Sequence, residues 1–297
     1  MTNRKRLPYW LKRPIAKAGK LSAVQGQLDT HCLHTVCKEA RCPNRTECFA
    51  RGTATFLIMG NACSRDCRFC SVVHARPGQL DPREPEHVRD AAVKLGLSYV
   101  VVTSVTRDDL PDGGAGHFAA TVRALKDAPS SIGVEVLIPD FRGSRQALQT
   151  VLESGPDVLN HNVETVPRRY PRIRPQADYR RSLEVLCRAA EYEPRVVVKS
   201  GLMVGLGETE DEVEAVLRDM HASGCSVVTI GQYLQPSSGQ VPVARFVTPE
   251  EFVRYEELGR AIGFARVVSG PRVRSSYKAE KVFQTVMAQR TCPCPGN

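Results

Sequence analysis

The chain has 297 residues, of which 42% are hydrophobic and 25% charged, a length and balance that suit one barrel-like domain or two smaller ones. No apolar run approaches a membrane span, and eleven cysteines without a secretory signal point to a reducing, cytoplasmic setting rather than a disulfide scaffold. A net charge of +9 suits an acidic partner, but nucleic acid is not expected, because base-stacking aromatics are not interleaved with the basic residues.

Residues 1–52 read as an N-terminal extension. Its first part is a basic arm, with Arg4, Lys5, Arg6, Lys12, Arg13, Lys17 and Lys20 preceding the first acid, Asp29. Pro8, Trp10 and Pro14 interrupt any amphipathic helix there and argue against a transit peptide. Further on, Cys37, Cys42 and Cys48 stand in a CxxxxCxxxxxC frame.

From residue 53 the chain alternates β-branched runs with amphipathic segments, the mark of repeated βα units and a parallel sheet. Strands are expected at Thr53 to Met59, Tyr99 to Val105, Gly133 to Ile138, Val158 to Val163, Arg195 to Val204 and Ser226 to Tyr233. Thr209 with Glu212, and Thr248 with Pro249 and Glu251, are helix-start signals between or after them. Six βα units fall short of a closed eightfold barrel. The expected fold class is therefore α/β, a curved, partly open (βα)6 TIM-like barrel over residues 53–263, followed by a C-terminal extension at 264–297. Ligands of such a barrel sit at the carboxyl ends of its strands. The second cysteine group, Cys63, Cys67 and Cys70 in CxxxCxxC, follows the first strand directly and so belongs to that face.

Each cysteine group offers three soft thiolates. A 4Fe-4S cluster has four irons, so one corner of each would lack a cysteine and could bind something reactive. Zinc is the bland alternative, with His34 or His74 as a fourth donor. Cys187 and Cys225 lie in apolar surroundings and read as small core residues, Cys32 as structural, and the Cys292-Pro-Cys294 tail has no assigned role.

An aromatic, Phe69, precedes the last cysteine of CxxxCxxC, and this pattern resembles the signature of the radical S-adenosylmethionine (SAM) enzymes. Over nearly its whole length the chain resembles the lipoyl synthase family. The resemblance is carried by His34-Thr-Val-Cys37-Lys-Glu-Ala-Arg41-Cys42-Pro-Asn44, Met59-Gly60-Asn-Ala-Cys63-Ser-Arg65-Asp-Cys67-Arg-Phe69-Cys70, Thr103-Ser104-Val-Thr-Arg107-Asp108-Asp109 and Asp112-Gly113-Gly114. It continues through Asn160-His161-Asn162-Val-Glu164-Thr165, Lys199-Ser200-Gly201-Leu-Met203, Gly231-Gln232-Tyr233-Leu-Gln235-Pro236 and Arg274-Ser275-Ser276-Tyr277. Thr106 departs from the pattern, standing where an acid or amide is more usual.

The resemblance implies a radical SAM sulfurtransferase with two 4Fe-4S clusters. One, on Cys63, Cys67 and Cys70, binds SAM and yields a 5'-deoxyadenosyl radical. That radical removes hydrogen from the sixth and eighth carbons of an octanoyl chain on a carrier lysine. The other, on Cys37, Cys42, Cys48 and Ser276, gives up both sulfurs, and a serine oxygen is a readily displaced ligand there. An unactivated methylene has no acidic proton for a general base, so radical chemistry is required, with the protein positioning and shielding. For SAM, Asn160 and Glu164 are the candidate ribose contacts and Thr103 and Ser104 candidates for the methionine end. Lys199 is either a ligand contact or a paired charge. The implied partners are octanoylated lipoyl carrier domains, such as 2-oxoacid dehydrogenase E2 subunits and the glycine cleavage H protein, and an electron donor such as flavodoxin or ferredoxin. Arg168, Arg169, Arg172, Arg174, Arg180 and Arg181 form a basic run that could steer an acidic carrier, though a solvated face explains them nearly as well. The rivals are another radical SAM enzyme with an auxiliary cluster, methylthiolating or biotin-forming, and a non-catalytic zinc protein with acidic partners.

Overall fold

In the computed structural model, which describes residues 6–12, 21–50 and 54–291, the N-terminal part folds as α1 (Leu21–Thr30), β1 (His34–Thr35), α2 (Val36–Glu39) and α3 (Arg45–Ala50). Next come β2 (Thr55–Ile58), a small pair β3 (Ala62–Cys63) and β4 (Val73–His74), α4 (Glu84–Lys94), β5 (Tyr99–Ser104) and α5 (Ala115–Lys126). The chain continues through β6 (Gly133–Leu137), α6 (Arg145–Leu152), β7 (Val158–Asn160), α7 (Tyr170–Ile173), α8 (Tyr179–Tyr192) and β8 (Val197–Val204). It ends with α9 (Glu210–Ala222), β9 (Val227–Gln232), α10 (Pro249–Ile262), β10 (Arg266–Gly270) and α11 (Ala279–Thr291). No helix among the described residues is long and apolar enough to cross a membrane.

Among the described residues the main sheet runs β1-β2-β5-β6-β7-β8-β9-β10. Every neighbouring pair from β2 onward is parallel, and β1 lies antiparallel on the outer edge of β2. The architecture is the expected α/β partial barrel, with one parallel strand beyond the six read from the sequence. That strand, β10, sets Val267 against Val228 and Gly270 against Gly231. It falls in the stretch expected to be a C-terminal extension, and it is inconspicuous because only Val267 of its five residues is fully buried, as suits an edge strand. The strand expected from Val158 to Val163 stops at Asn160, because the chain turns aside and rejoins β8 by a single bridge between Glu164 and Leu202. Thr53 lies outside the described residues.

Both helix-start signals form. The Thr209 hydroxyl accepts from the Glu212 N–H at 3.2 Å while the Glu212 carboxylate accepts from the Thr209 N–H at 2.8 Å, and Thr248 with Glu251 repeats the arrangement at 3.3 and 2.8 Å. Each cap is worth about 1 kcal/mol. Outward-facing Val100, Val102, Val134, Val136, Leu159, Val198 and Val228 pack under the helices in the main core. Side chains alternate across a strand, so the first residues Tyr99, Val158, Val197 and Val227 face inward. There they meet Ala279, Val282 and Val286 of α11 in a separate apolar cluster. The last helix thus closes the amino end of the barrel, pinned by hydrogen bonds from Ser98 to Glu280 at 2.6 Å and from Arg290 to the Arg195 carbonyl at 2.7 Å. The opposite end carries the cysteines.

Candidate active site at the carboxyl ends of the strands

The CxxxCxxC loop leaves β2 through Gly60, whose φ of 87° only glycine adopts readily. It is then fastened to the end of β5 by main-chain groups. The Thr106 N–H donates to Cys63 Sγ at 3.3 Å, and the Thr106 carbonyl accepts from the Ser64 N–H and hydroxyl at 3.0 and 2.9 Å. Only backbone atoms of Thr106 are used here, so the unusual side chain at this position leaves the anchorage intact. Arg65, 6% exposed, forks onto Asp108 at 2.6 and 2.9 Å and onto Asp140 at 2.7 Å, binding the loop to β5 and β6. Burial alone would raise the Asp140 carboxyl, but hydrogen bonds and charge from Arg65 hold it at about 2. It remains an anion under the loop.

Two of the three thiols lie in a dry setting. Burial pushes Cys70 up to about 12, with Cys67 and Cys63 adding to the rise. Cys67 is raised by burial and restrained by the Arg174 guanidinium. Such thiols lose their protons to a metal rather than to solvent, and closely grouped, desolvated cysteines fit a 4Fe-4S cluster in which each holds one iron.

The other triplet lies on α2 (Cys37), α3 (Cys48) and the turn between them (Cys42). Cys37 is 7% exposed and is pushed up to about 12, first by burial and then by Cys42 and Cys48 beside it. Onto these turns folds the loop after β10. The Asn44 amide donates to the Arg272 carbonyl at 2.8 Å, and the Tyr277 hydroxyl donates to Glu47 at 3.1 Å. Ser276 sits between Tyr277, which reaches the triplet, and Ser275, whose hydroxyl accepts from the Asn162 amide at 3.3 Å inside the barrel mouth. The loop comes this close because Gly231 has no side chain; a Cβ there would strike the Val273 carbonyl.

The two histidines that would complete zinc sites are engaged otherwise. His34 Nδ1 lies 3.6 Å from Glu39, and His74 Nδ1 faces the Cys63 carbonyl at 3.2 Å. No three His, Cys, Asp or Glu side chains among the described residues converge as ligands of one metal ion, whereas a cubane spreads its ligands over separate corners.

The strand-end candidates for SAM gather at the same rim. Asn160 is fully buried; its amide nitrogen donates to Glu135 at 3.3 Å and its Oδ1 has no partner among the described residues. Glu164 adopts a φ of 70° and accepts from the Asn162 amide at 3.1 Å, with its carboxyl raised by burial against the opposing pull of Arg174. Thr103 donates to the Leu137 carbonyl at 2.8 Å, and the Ser104 hydroxyl is buried without a partner among the described residues. Asn162 Oδ1, Thr165 Oγ1, His161 Nε2 and Arg174 Nε are likewise unsatisfied. A buried polar atom left unpaired costs about 1–3 kcal/mol, and so many around the ends of β5 and β7 fit a surface shaped for a polar ligand.

Lys199 lies beside Asn160 in the β7–β8 register and bonds the same Glu135 carboxylate. It is the third residue of β8, 1% exposed, with its ammonium 2.8 Å from Glu135, so a paired charge is present here. Glu135 also accepts from the Tyr99 hydroxyl at 3.1 Å. The basic run likewise divides. Arg174 is buried, donating to the Asn162 and Val163 carbonyls at 3.1 Å, Arg168 pairs with Glu212 at 2.6 Å, and Arg181 reaches Asp140 at 3.4 Å, while Arg172 and Arg180 are exposed. Cys225 is a core residue as expected, Cys187 instead lies half-buried on α8 and donates to Glu191 at 3.3 Å, Cys32 is exposed, and Cys292 and Cys294 lie outside the described residues. The sequence alone does not mark Arg65, Asp140, Asn162 and Arg174 as site residues. Arg65 and Asn162 stand inside quoted motifs and were within reach, whereas Asp140 and Arg174 join the site only through tertiary packing.

Residues 57–220 match the model of the Radical SAM superfamily. The chain is 56% identical to a lipoyl synthase from Caldanaerobacter subterraneus subsp. tengcongensis, over 94% of this chain and 97% of that one. It is 52% identical to a lipoyl synthase from Chlorobaculum tepidum, over 92% and 94%. Among solved structures it is similar to methylornithine synthase (PylB), with a TM-score of 0.52 at 13% identity over 92% of this chain and 96% of that one. It is also similar to the FeFe-hydrogenase maturase HydG from Carboxydothermus hydrogenoformans, with a TM-score of 0.55 at 13% identity over 79% and 65%. The two structural likenesses carry the fold. Taken with the cysteine-lined rim, the extent and level of sequence identity place the chain in the lipoyl synthase family of the radical SAM superfamily.

Proposed function

We propose that the protein inserts two sulfur atoms, at the sixth and eighth carbons of a protein-bound octanoyl-lysine, to make the lipoyl group. The observation that carries this reading is the docking of the Arg272–Tyr277 loop, which contains Ser276, on Asn44 and Glu47 of the segment between Cys42 and Cys48, while its Ser275 accepts from Asn162 at the rim. A mere SAM-binding barrel needs no such closure between its two ends.

In this reading Cys63, Cys67 and Cys70 hold the 4Fe-4S cluster of the superfamily, which with SAM supplies the radical that breaks an unactivated C–H bond. Cys37, Cys42, Cys48 and Ser276 hold a second 4Fe-4S cluster, the sulfur-donating substrate. The protein's own work is positional. Arg65, Asp108 and Asp140 hold the cysteine loop rigid, Asn160 and Glu164 receive ribose hydroxyls, and Thr103 and Ser104 meet the methionine end. The buried rim excludes water, which would otherwise quench reactive intermediates. The acyl substrate arrives on a lipoyl carrier domain, an electron comes from a flavodoxin- or ferredoxin-like donor, and the cytoplasm is the matching compartment because thiol ligands need a reducing setting.

Anaerobic purification followed by iron analysis is expected to give about eight irons per chain, the sum of two cubanes. Incubation with SAM, a strong reductant and an octanoyl-lysyl peptide is then expected to yield, by mass spectrometry, a peptide carrying two added sulfurs. A colourless zinc protein, or a peptide that gains no sulfur, would overturn the assignment.

A further inference from the structure

We propose that Asn162 is a positioning residue that couples the SAM side of the rim to the loop bearing Ser276, so that SAM binding at Glu164 stiffens the loop over the second triplet. This rests on the functional reading above. Asn162 is 9% exposed, and its amide nitrogen serves two acceptors at once, Glu164 Oε1 at 3.1 Å and the Ser275 hydroxyl at 3.3 Å. An amide nitrogen carries two hydrogens, one for each acceptor. The amide thus bridges residues that are 111 positions apart (275 − 164).

The surroundings allow that side chain little freedom. A Cβ on Gly201 would stand 2.7 Å from Asn162 Oδ1 and 2.9 Å from the Thr229 hydroxyl, so β8 leaves out a side chain where the amide packs. The Asn162 carbonyl is held by Arg174 at 3.1 Å. Glu164 is fixed by its main chain, its N–H donating to the Gly201 carbonyl and its carbonyl accepting from the Met203 N–H, both at 2.9 Å. Its left-handed backbone is a conformation that persists only where neighbours enforce it. With both backbones braced by β8 and Arg174, a ligand that engages the Glu164 carboxylate acts on the amide, and through it on Ser275 and the adjoining Ser276. Since Asn162 Oδ1 is buried with no partner among the described residues, the side chain is held by these two donated bonds and by packing.

Hydrogen–deuterium exchange on the intact, two-cluster protein under anaerobic conditions, with and without SAM and without reductant, tests the coupling. The reporters are the loop amides of Val273 and Tyr277, bonded to the Gly270 and Arg274 carbonyls at 3.1 and 2.9 Å. SAM is expected to slow their exchange by about five-fold or more, the lower end of ordinary site–site coupling. In Asn162→Ala and Ser275→Ala the slowing at the loop is expected to vanish while SAM still protects Met203 beside Glu164, and Ser275→Thr, which keeps the hydroxyl, is expected to restore it. Equal loop protection in wild type and both alanine variants would mean that SAM touches the loop directly and would overturn the coupling. So would a wild-type loop indifferent to SAM. Absence of protection at Met203 as well would instead remove the placement of SAM itself.

Discussion

The Tyr277 hydroxyl donates to the Glu47 carboxylate at 3.1 Å, joining residues 230 positions apart in the chain. This bond holds the tail loop against the segment that carries Cys42 and Cys48, so the second cluster site proposed above would draw on two distant stretches of the sequence. Hydrogen bonds to charged groups contribute about 1.5–3 kcal/mol. In Tyr277→Phe the ring remains and that bond is lost; the expected outcome is faster loss of iron from the second site during gel filtration, with the first site unaffected, read by iron content and electron paramagnetic resonance.

Gly231→Ala tests the same closure from inside the barrel. Its Cβ would meet the Val273 carbonyl, a backbone atom that cannot swing away. The loop must shift, and iron content is expected to fall from about eight to about four per chain, one cubane remaining. Retention of both clusters would show that the loop tolerates displacement.

Lys199 and Glu135 form an ion pair with side chains only 2% and 1% exposed. Removing one partner strands the other charge, which costs about 3–5 kcal/mol. Lys199→Met is therefore expected to lower the urea midpoint by that equivalent while SAM affinity, measured on the folded protein, stays near wild type. A large loss of SAM binding without loss of stability would return Lys199 to the ligand contacts.

His161 has a distinctive pH signature. Burial, reinforced by the Arg174 charge, depresses its pKa from 6.5 to about 4, and its Nδ1 is directed at the Ile138 carbonyl at 2.9 Å. Because the unfolded histidine binds a proton more readily than the folded one, its contribution to stability is complete above pH 6.5 and is lost as pH falls toward about 4. The loss is about 3 kcal/mol for a shift of this size. Urea unfolding across this range should show a steeper acid decline for wild type than for His161→Gln, the difference between the curves isolating the imidazole.

Much of this was legible in the chain before folding. Cys63, Cys67 and Cys70 are close in sequence, so their grouping is local, and hydrophobic runs such as Tyr99 to Val105 announce strands because both of their faces are covered. The capping boxes at Thr209 and Thr248 are likewise local chemistry. What escaped is non-local or weakly patterned. β10 carries one fully buried valine and polar ends; β1 is only two residues long. Lys199 resembles a ligand contact in a motif, and only the register that faces it toward Glu135 reveals a pair. Cys187 stands among apolar neighbours in sequence, yet the turn of α8 carries it to the flank.

One consequence follows from α11, which stoppers the amino end of the barrel against Tyr99, Val158, Val197 and Val227. With that base shut, the acyl arm of the proposed reaction would come and go on the cysteine-bearing side, so delivery and departure would share one face of the molecule.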